Sequence, residues 1–157
     1  MAHEQAVRQP DAELHMTRTF DAPRKLVFEA WTKDEHLSRW ACPTGMTIPV
    51  SEGDIRPGGW FRTCMRAPDG TEHWLSGNYR EITPHERIVF THAWHDESGE
   101  PGHETLVTVT LKETADGKTH LTLHQAFFAS KASRDGHEAG WSETLDNLAG
   151  YLPFMAG

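Results

Sequence analysis

Residues 141–153, WSETLDNLAGYLP, set Trp141, Leu145, Leu148 and Leu152 at intervals of four, three and four residues. Those intervals trace one face of an α-helix. Pro153 lacks the N–H that would continue the hydrogen-bond ladder, so the helix is expected to end there. Ser133 is its expected N-cap. Gly136 and Gly140 lower the helix propensity of its first turns and are read as points where a neighbouring backbone comes close.

A long helix with one apolar stripe needs an apolar surface to cover. The preceding sequence supplies it. Met46, Ile48 and Val50 alternate with polar residues, the signature of a strand. Trp60 to Arg66 and Glu72 to Ile82 flank the hairpin signal Asp69-Gly70. After Pro84 the β pattern resumes from Arg87 to Trp94, and an acidic loop covers Asp96 to Gly102. Thr105 to Lys112 and Lys118 to Phe128 pair around Asp116-Gly117. Upstream, Leu14, Met16, Arg18 and Phe20 alternate as a first strand. Asp21-Ala22-Pro23 opens a helix carrying Leu26, Val27, Ala30 and Trp31. Thr32 to Glu35 reads as a capping box for a second short helix with Leu37, Trp40 and Ala41, ended by Pro43. The order is β-α-α-β6-α. It predicts one α+β domain over residues 13–157, a curved antiparallel sheet wrapped around the C-terminal helix, behind a flexible arm at 1–12.

Bulk properties restrict the partners. The 157 residues include six Trp and seven Phe, enough large side chains for a core without staples. The net charge of −8 repels phosphate backbones, and no Lys/Arg cluster offsets it, so nucleic acid is not expected. Cys42 and Cys64 have neither disulfide-framework nor zinc spacing, so reduced thiols in a cytoplasm are the simpler expectation. No leader-like segment opens the sequence, and no apolar run would insert in a bilayer.

Several motifs then converge on one family. Thr19-Phe20-Asp21-Ala22-Pro23, Val27-Phe28-Glu29-Ala30-Trp31-Thr32 and Glu35-His36-Leu37-Ser38-Arg39-Trp40 resemble the opening of the SRPBCC superfamily. More narrowly, they resemble its bacterial branch named for homology to the activator of the heat-shock-protein-90 ATPase. The agreement continues through Asp54 to Gly59, Asp69-Gly70-Thr71, Gly77 to Thr91, and Gly140-Trp141 with Leu145, Leu148 and Leu152. It spans residues 14 to 152. The resemblance implies a helix-grip, START-like fold with a cavity between sheet and last helix. It implies no single function, because the superfamily includes lipid carriers, hormone receptors and cyclases. Trp40-Ala41-Cys42-Pro43 departs from relatives, which often carry a second aromatic and a Gly there.

Side-chain alternation selects the inward residues. On successive strands these are Phe61, Thr63 and Met65; Leu75, Gly77 and Tyr79; Ile88, Phe90, His92 and Trp94. Val107, Val109 and Leu111 follow, then Leu121, Leu123, Gln125 and Phe127, with Trp141, Leu145 and Leu148 above them. This leaves Arg62 and Arg66 in water. The expected ligand-contacting set is Phe61, Met65, Leu75, Tyr79, Phe90, His92, Trp94, Val109, Leu123, Gln125, Phe127, Trp141, Leu145 and Leu148. Its polar members, Tyr79, His92 and Gln125, serve either as ligand handles or as satisfied core groups. His92 is the one candidate catalytic residue, as acid or base. No ligand spacing for a metal, no P-loop and no nucleophile elbow is present, and no cofactor is expected. Cys64 shares a face with Arg62 and Arg66, which would lower its thiol pKa, but it is treated as an ordinary small residue.

Three functions are compatible, in descending order. The first is binding of a small apolar or aromatic molecule. The second is a cyclase, dehydratase or isomerase using His92. The third is a co-chaperone, suggested by the family's name, although the chain as given has no room for the extra N-terminal domain of the eukaryotic namesake. Trp74, on the outer face, is either a homodimer contact or a lone surface aromatic.

Overall fold

The computed structural model describes residues 12–156, so the arm expected at 1–12 lies outside the described residues but for its last one. Ten elements follow in order: β1 (Glu13–Phe20), α1 (Arg24–Thr32), α2 (Asp34–Trp40), β2 (Thr47–Asp54), β3 (Trp60–Arg66), β4 (Glu72–Thr83), β5 (Arg87–Trp94), β6 (Thr105–Glu113), β7 (Thr119–Ala126) and α3 (Lys131–Ala156). The strands form one antiparallel sheet in the order β1-β7-β6-β5-β4-β3-β2. The first strand therefore closes onto the last, and the six hairpin-linked strands run outward to β2. The chain has the helix-grip architecture, with α3 lying along a curved open sheet.

Curvature has local causes. Register slips between Thr47 and Val50 and between Tyr79 and Glu81 bend the outer strands. At Gly77, β4 is pressed against β5: a Cβ there would sit 1.9 Å from the Thr91 carbonyl oxygen. The ladder is adapted beside it, where Asn78 N–H donates to Thr91 Oγ1 at 2.8 Å. Only glycine fits this approach.

Several local expectations are corrected. Pro153 lies inside α3, which continues to Ala156; the missing bond falls in the last turns, where one lost donor is tolerated. The helix starts at Lys131, and the hydroxyl that accepts from its first turn is Ser130 Oγ, from Ser133 N–H at 3.0 Å. Thr32 does not cap α2: its hydroxyl donates back to Phe28 O at 2.8 Å, and Lys33 occupies the cap position without a side-chain bond. Likewise Pro23, with no side-chain bond, is the cap of α1, in place of Asp21. No backbone of a neighbouring element among the described residues approaches Gly136 or Gly140; outside α3 the one atom within 4 Å of a Cβ at either is Pro43 Cγ, 3.9 Å from Gly140.

The core is lopsided. Val107, Val109, Leu121, Leu123, Leu145 and Leu148 are fully buried, so α3 packs solidly on β6 and β7. Over β2 to β5 the packing is looser, and space remains.

Candidate functional site

Two adjoining chambers occupy the looser half. The inner one, about 80 Å³, is walled by the rings of Trp31, Phe61, Tyr79, Phe90 and Trp141. Leu37, Ala41, Ile48, Met65, Leu75 and Ile88 complete its apolar surface, and Asp34, Ser51, Thr63 and His92 are its other polar groups. Phe61 lies 5.7 Å from both Tyr79 and Phe90, centroid to centroid, edge-on to the latter. Trp31 stacks on Trp141 at 6.0 Å, which ties α1 to α3 across the chamber.

The outer chamber, about 430 Å³, lies between the first turns of α3, the segment after α2, and β3 to β5. Met46, Met65, Trp94, His92 and His137 line it, with Pro43, Gly136 and Gly140. Gly136 and His73 are exposed at its rim, so it opens to solvent. The missing side chains of Gly136 and Gly140 thus keep open a space on the helix face. Ala41, Met65, His92 and Trp141 belong to both chambers and form their shared wall.

Two hydrogen-bond relays hold that wall. Trp141 Nε1 donates to Gln125 Oε1 at 2.8 Å, Gln125 Nε2 donates to Thr105 Oγ1 at 2.8 Å, and Thr105 Oγ1 donates to His92 O at 3.1 Å. Gln125, fully buried on β7, therefore fixes the Trp141 indole from behind. In the second relay, Trp94 Nε1 donates to His137 Nε2 at 3.0 Å, and His137 Nδ1 donates to Ser133 O at 2.7 Å. An indole N–H can only donate, so His137 is the neutral Nδ1–H tautomer in this arrangement.

His92 faces inward beside these groups, its ring 5.6 Å from Trp94 and 5.7 Å from His137. Burial, and secondarily the neighbouring His137, push its imidazole down to about 3. It is neutral near pH 7. Its Nδ1 is buried without a partner, and so is Trp31 Nε1. An orphaned buried polar atom costs about 1–3 kcal/mol, so two in one wall need a reason. Burial, then the charge of Asp34, raise the Tyr79 phenol, which is neutral as well. Among the described residues no group of three or more His, Cys, Asp or Glu side chains could hold a metal ion. No helix among them is long and apolar enough to cross a membrane.

The sequence-derived candidates separate into groups. Phe61, Leu75, Tyr79 and Phe90 line the inner chamber; Trp94 lines the outer; Met65, His92 and Trp141 line both. Val109, Leu123, Leu145 and Leu148 belong to the solid half and line neither chamber, and Gln125 stands behind the wall. Phe127 is a correction. β7 ends at Ala126, Phe127 takes a left-handed backbone with φ 71°, and the alternation breaks. Phe127 is 45% exposed, and Phe128 turns inward, 4.9 Å from the His137 ring. Cys64 is buried, and burial pushes its thiol up, against the lowering pull of Arg66 and Arg62. Trp74 carries the Arg62 guanidinium on its ring face at 4.0 Å. Sequence reading missed His137, though it stands four residues before Trp141 on the same helix face. It also missed Asp34 and Ser51, joined by a Ser51 Oγ donation to Asp34 Oδ1 at 3.0 Å.

Comparisons with known proteins agree with this architecture. Residues 21–153 match the family model described as Activator of Hsp90 ATPase homolog 1-like protein. A protein from Chromobacterium violaceum is similar in structure, with a TM-score of 0.81 and 27% identity over 90% of this chain and 97% of its own. The AHSA1 protein of Silicibacter pomeroyi gives 0.81 and 26% over 91% and 99%. A protein from Nitrosomonas europaea gives 0.77 and 27% over 92% and 96%. No curated protein matches. With most of its length matched by the family model, and its fold shared along nearly the whole of these relatives, the chain belongs to the Activator of Hsp90 ATPase homolog 1-like family, within the SRPBCC superfamily.

Proposed function

We propose that this domain binds a small apolar or aromatic molecule in the two chambers. The observation that carries the reading is the pair of orphaned nitrogens, Trp31 Nε1 and His92 Nδ1, on residues of a mostly apolar wall. Apolar walls with a few placed polar groups are the usual composition of a small-molecule site. The outer volume also falls within the range such sites occupy.

Binding is favoured over acid–base catalysis by the state of His92. A group that titrates near 3 is a weak base and supplies no imidazolium near neutrality, where a general acid or base works best with a pKa close to the working pH. The test is native mass spectrometry of the purified chain, followed by tryptophan-fluorescence titration with 2-phenylethanol and naphthalene. A co-purified molecule released on denaturation, or saturable quenching lost in Trp141→Ala, is the expected result. A bare chain that neither probe quenches overturns the proposal.

A further inference from the structure

The charges around the inner chamber are one-sided. Among the described residues, Asp34 is the only charged side chain in its wall, and no Lys or Arg lines either chamber. Other acids of the outer strands are paired: Glu52 with Arg62 at 3.0 Å, Glu72 with Arg66 at 2.6 Å. Asp34 has no cationic partner among the described residues. Its one side-chain bond is the Ser51 hydroxyl on Oδ1. Half-buried, it stands at the chamber with that carboxylate otherwise free.

We propose that the inner chamber takes an organic cation, a protonated or quaternary amine on an apolar or aromatic frame, with Asp34 as its counter-charge. This deepens the small-molecule reading and rests on it. Aromatic faces carry the negative end of the ring quadrupole, so Trp31, Phe61, Tyr79, Phe90 and Trp141 form surroundings that attract an ammonium group. The same surroundings reject a carboxylate or phosphate. Such a group would be desolvated beside Asp34 with no counter-charge in reach. The net charge of −8 acts in the same sense by drawing cations toward the protein. The ammonium end is assigned to the inner chamber, with the frame lying along the side chains that border both chambers. The position of Asp34 in the first turn of α2 also stabilises that helix end, so the experiment must separate the two roles.

Three probes of one size do so: 2-phenylethylamine, 2-phenylethanol and phenylacetate, titrated at pH 7 by tryptophan fluorescence. The amine should bind about tenfold tighter than the alcohol, and the carboxylate weakest. Asp34→Asn should remove the amine's advantage and change the alcohol's Kd far less, since the amide Oδ1 still accepts from a hydroxyl but supplies no counter-charge. The alcohol thereby reports that the variant's chambers are intact. If the alcohol binds but the amine binds no tighter, or if Asp34→Asn weakens all three equally, the cation assignment is overturned while small-molecule binding stands. If none of the three binds, the cation assignment falls, and small-molecule binding falls with it only where the purified chain is also bare and naphthalene does not quench it.

Discussion

Acid should destabilise this domain in part through His92, and the size of that part follows from its surroundings. His92 titrates near 6.5 when solvated and near 3 in the fold, because burial penalises the imidazolium. The folded value is the lower one, so below pH 6.5 the unfolded chain binds the proton that the folded chain refuses. Stability is therefore full above about pH 6.5 and is lost as pH falls toward 3. At pH 5 the unfolded imidazole is mostly protonated and the folded one is not. At 1.36 kcal/mol per pKa unit, the loss there is about 2 kcal/mol. That is a sizeable part of the 5–15 kcal/mol by which a typical domain is stable. Guanidinium titrations of wild type and His92→Phe at pH 7 and pH 5 measure it. Phenylalanine fits the aromatic surroundings, and its ring leaves no orphaned Nδ1, so the variant should lose at most about 1 kcal/mol at pH 7. The wild-type minus variant difference cancels most of what the other histidines contribute. A pH-dependent loss that is the same in both chains, to within about 0.5 kcal/mol, would refute the argument.

Other perturbations test the packing. Gln125→Leu orphans the Trp141 indole and should cost about 2 kcal/mol, a fall in Tm of roughly 4–8 °C by calorimetry, and less in a Trp141→Phe background. Gly77→Ala puts a methyl on the Thr91 carbonyl and should cost about 3 kcal/mol or more, seen as loss of soluble protein or of the cooperative transition. Phe128→Ala should cost about 3–5 kcal/mol in guanidinium melts and Phe127→Ala under about 1, although alternation alone predicts the reverse.

What the sequence made legible was periodicity. The stripe from Trp141 to Leu152 and the alternation from Met46 to Phe128 name the layers, because burial of one face is what those periods encode. The ends of elements were less legible. Thr32 and Ser133 carry cap chemistry, but nearby groups offer better partners: the Phe28 carbonyl for one, the Ser130 hydroxyl for the other. Parity failed at Phe127 because one left-handed residue reverses it. Alternation also cannot tell an inward residue that meets other side chains from one that meets space. Val109 and Phe90 look alike in sequence, yet only Phe90 borders a chamber. Asp34 was hidden by its plausibility as part of a capping box, and His137 by the view of α3 as an apolar lid.

The lopsided core has an evolutionary consequence. Selection can rewrite the side chains that border the chambers over β2 to β5 more freely than those of the closed half around Val109, Leu123 and Leu145, which meet neighbours on every side. A side chain facing existing space has fewer fitted neighbours to disturb on that side. The 26–27% identities at TM-scores of 0.77 to 0.81 show how far side chains change in this family while the backbone is kept.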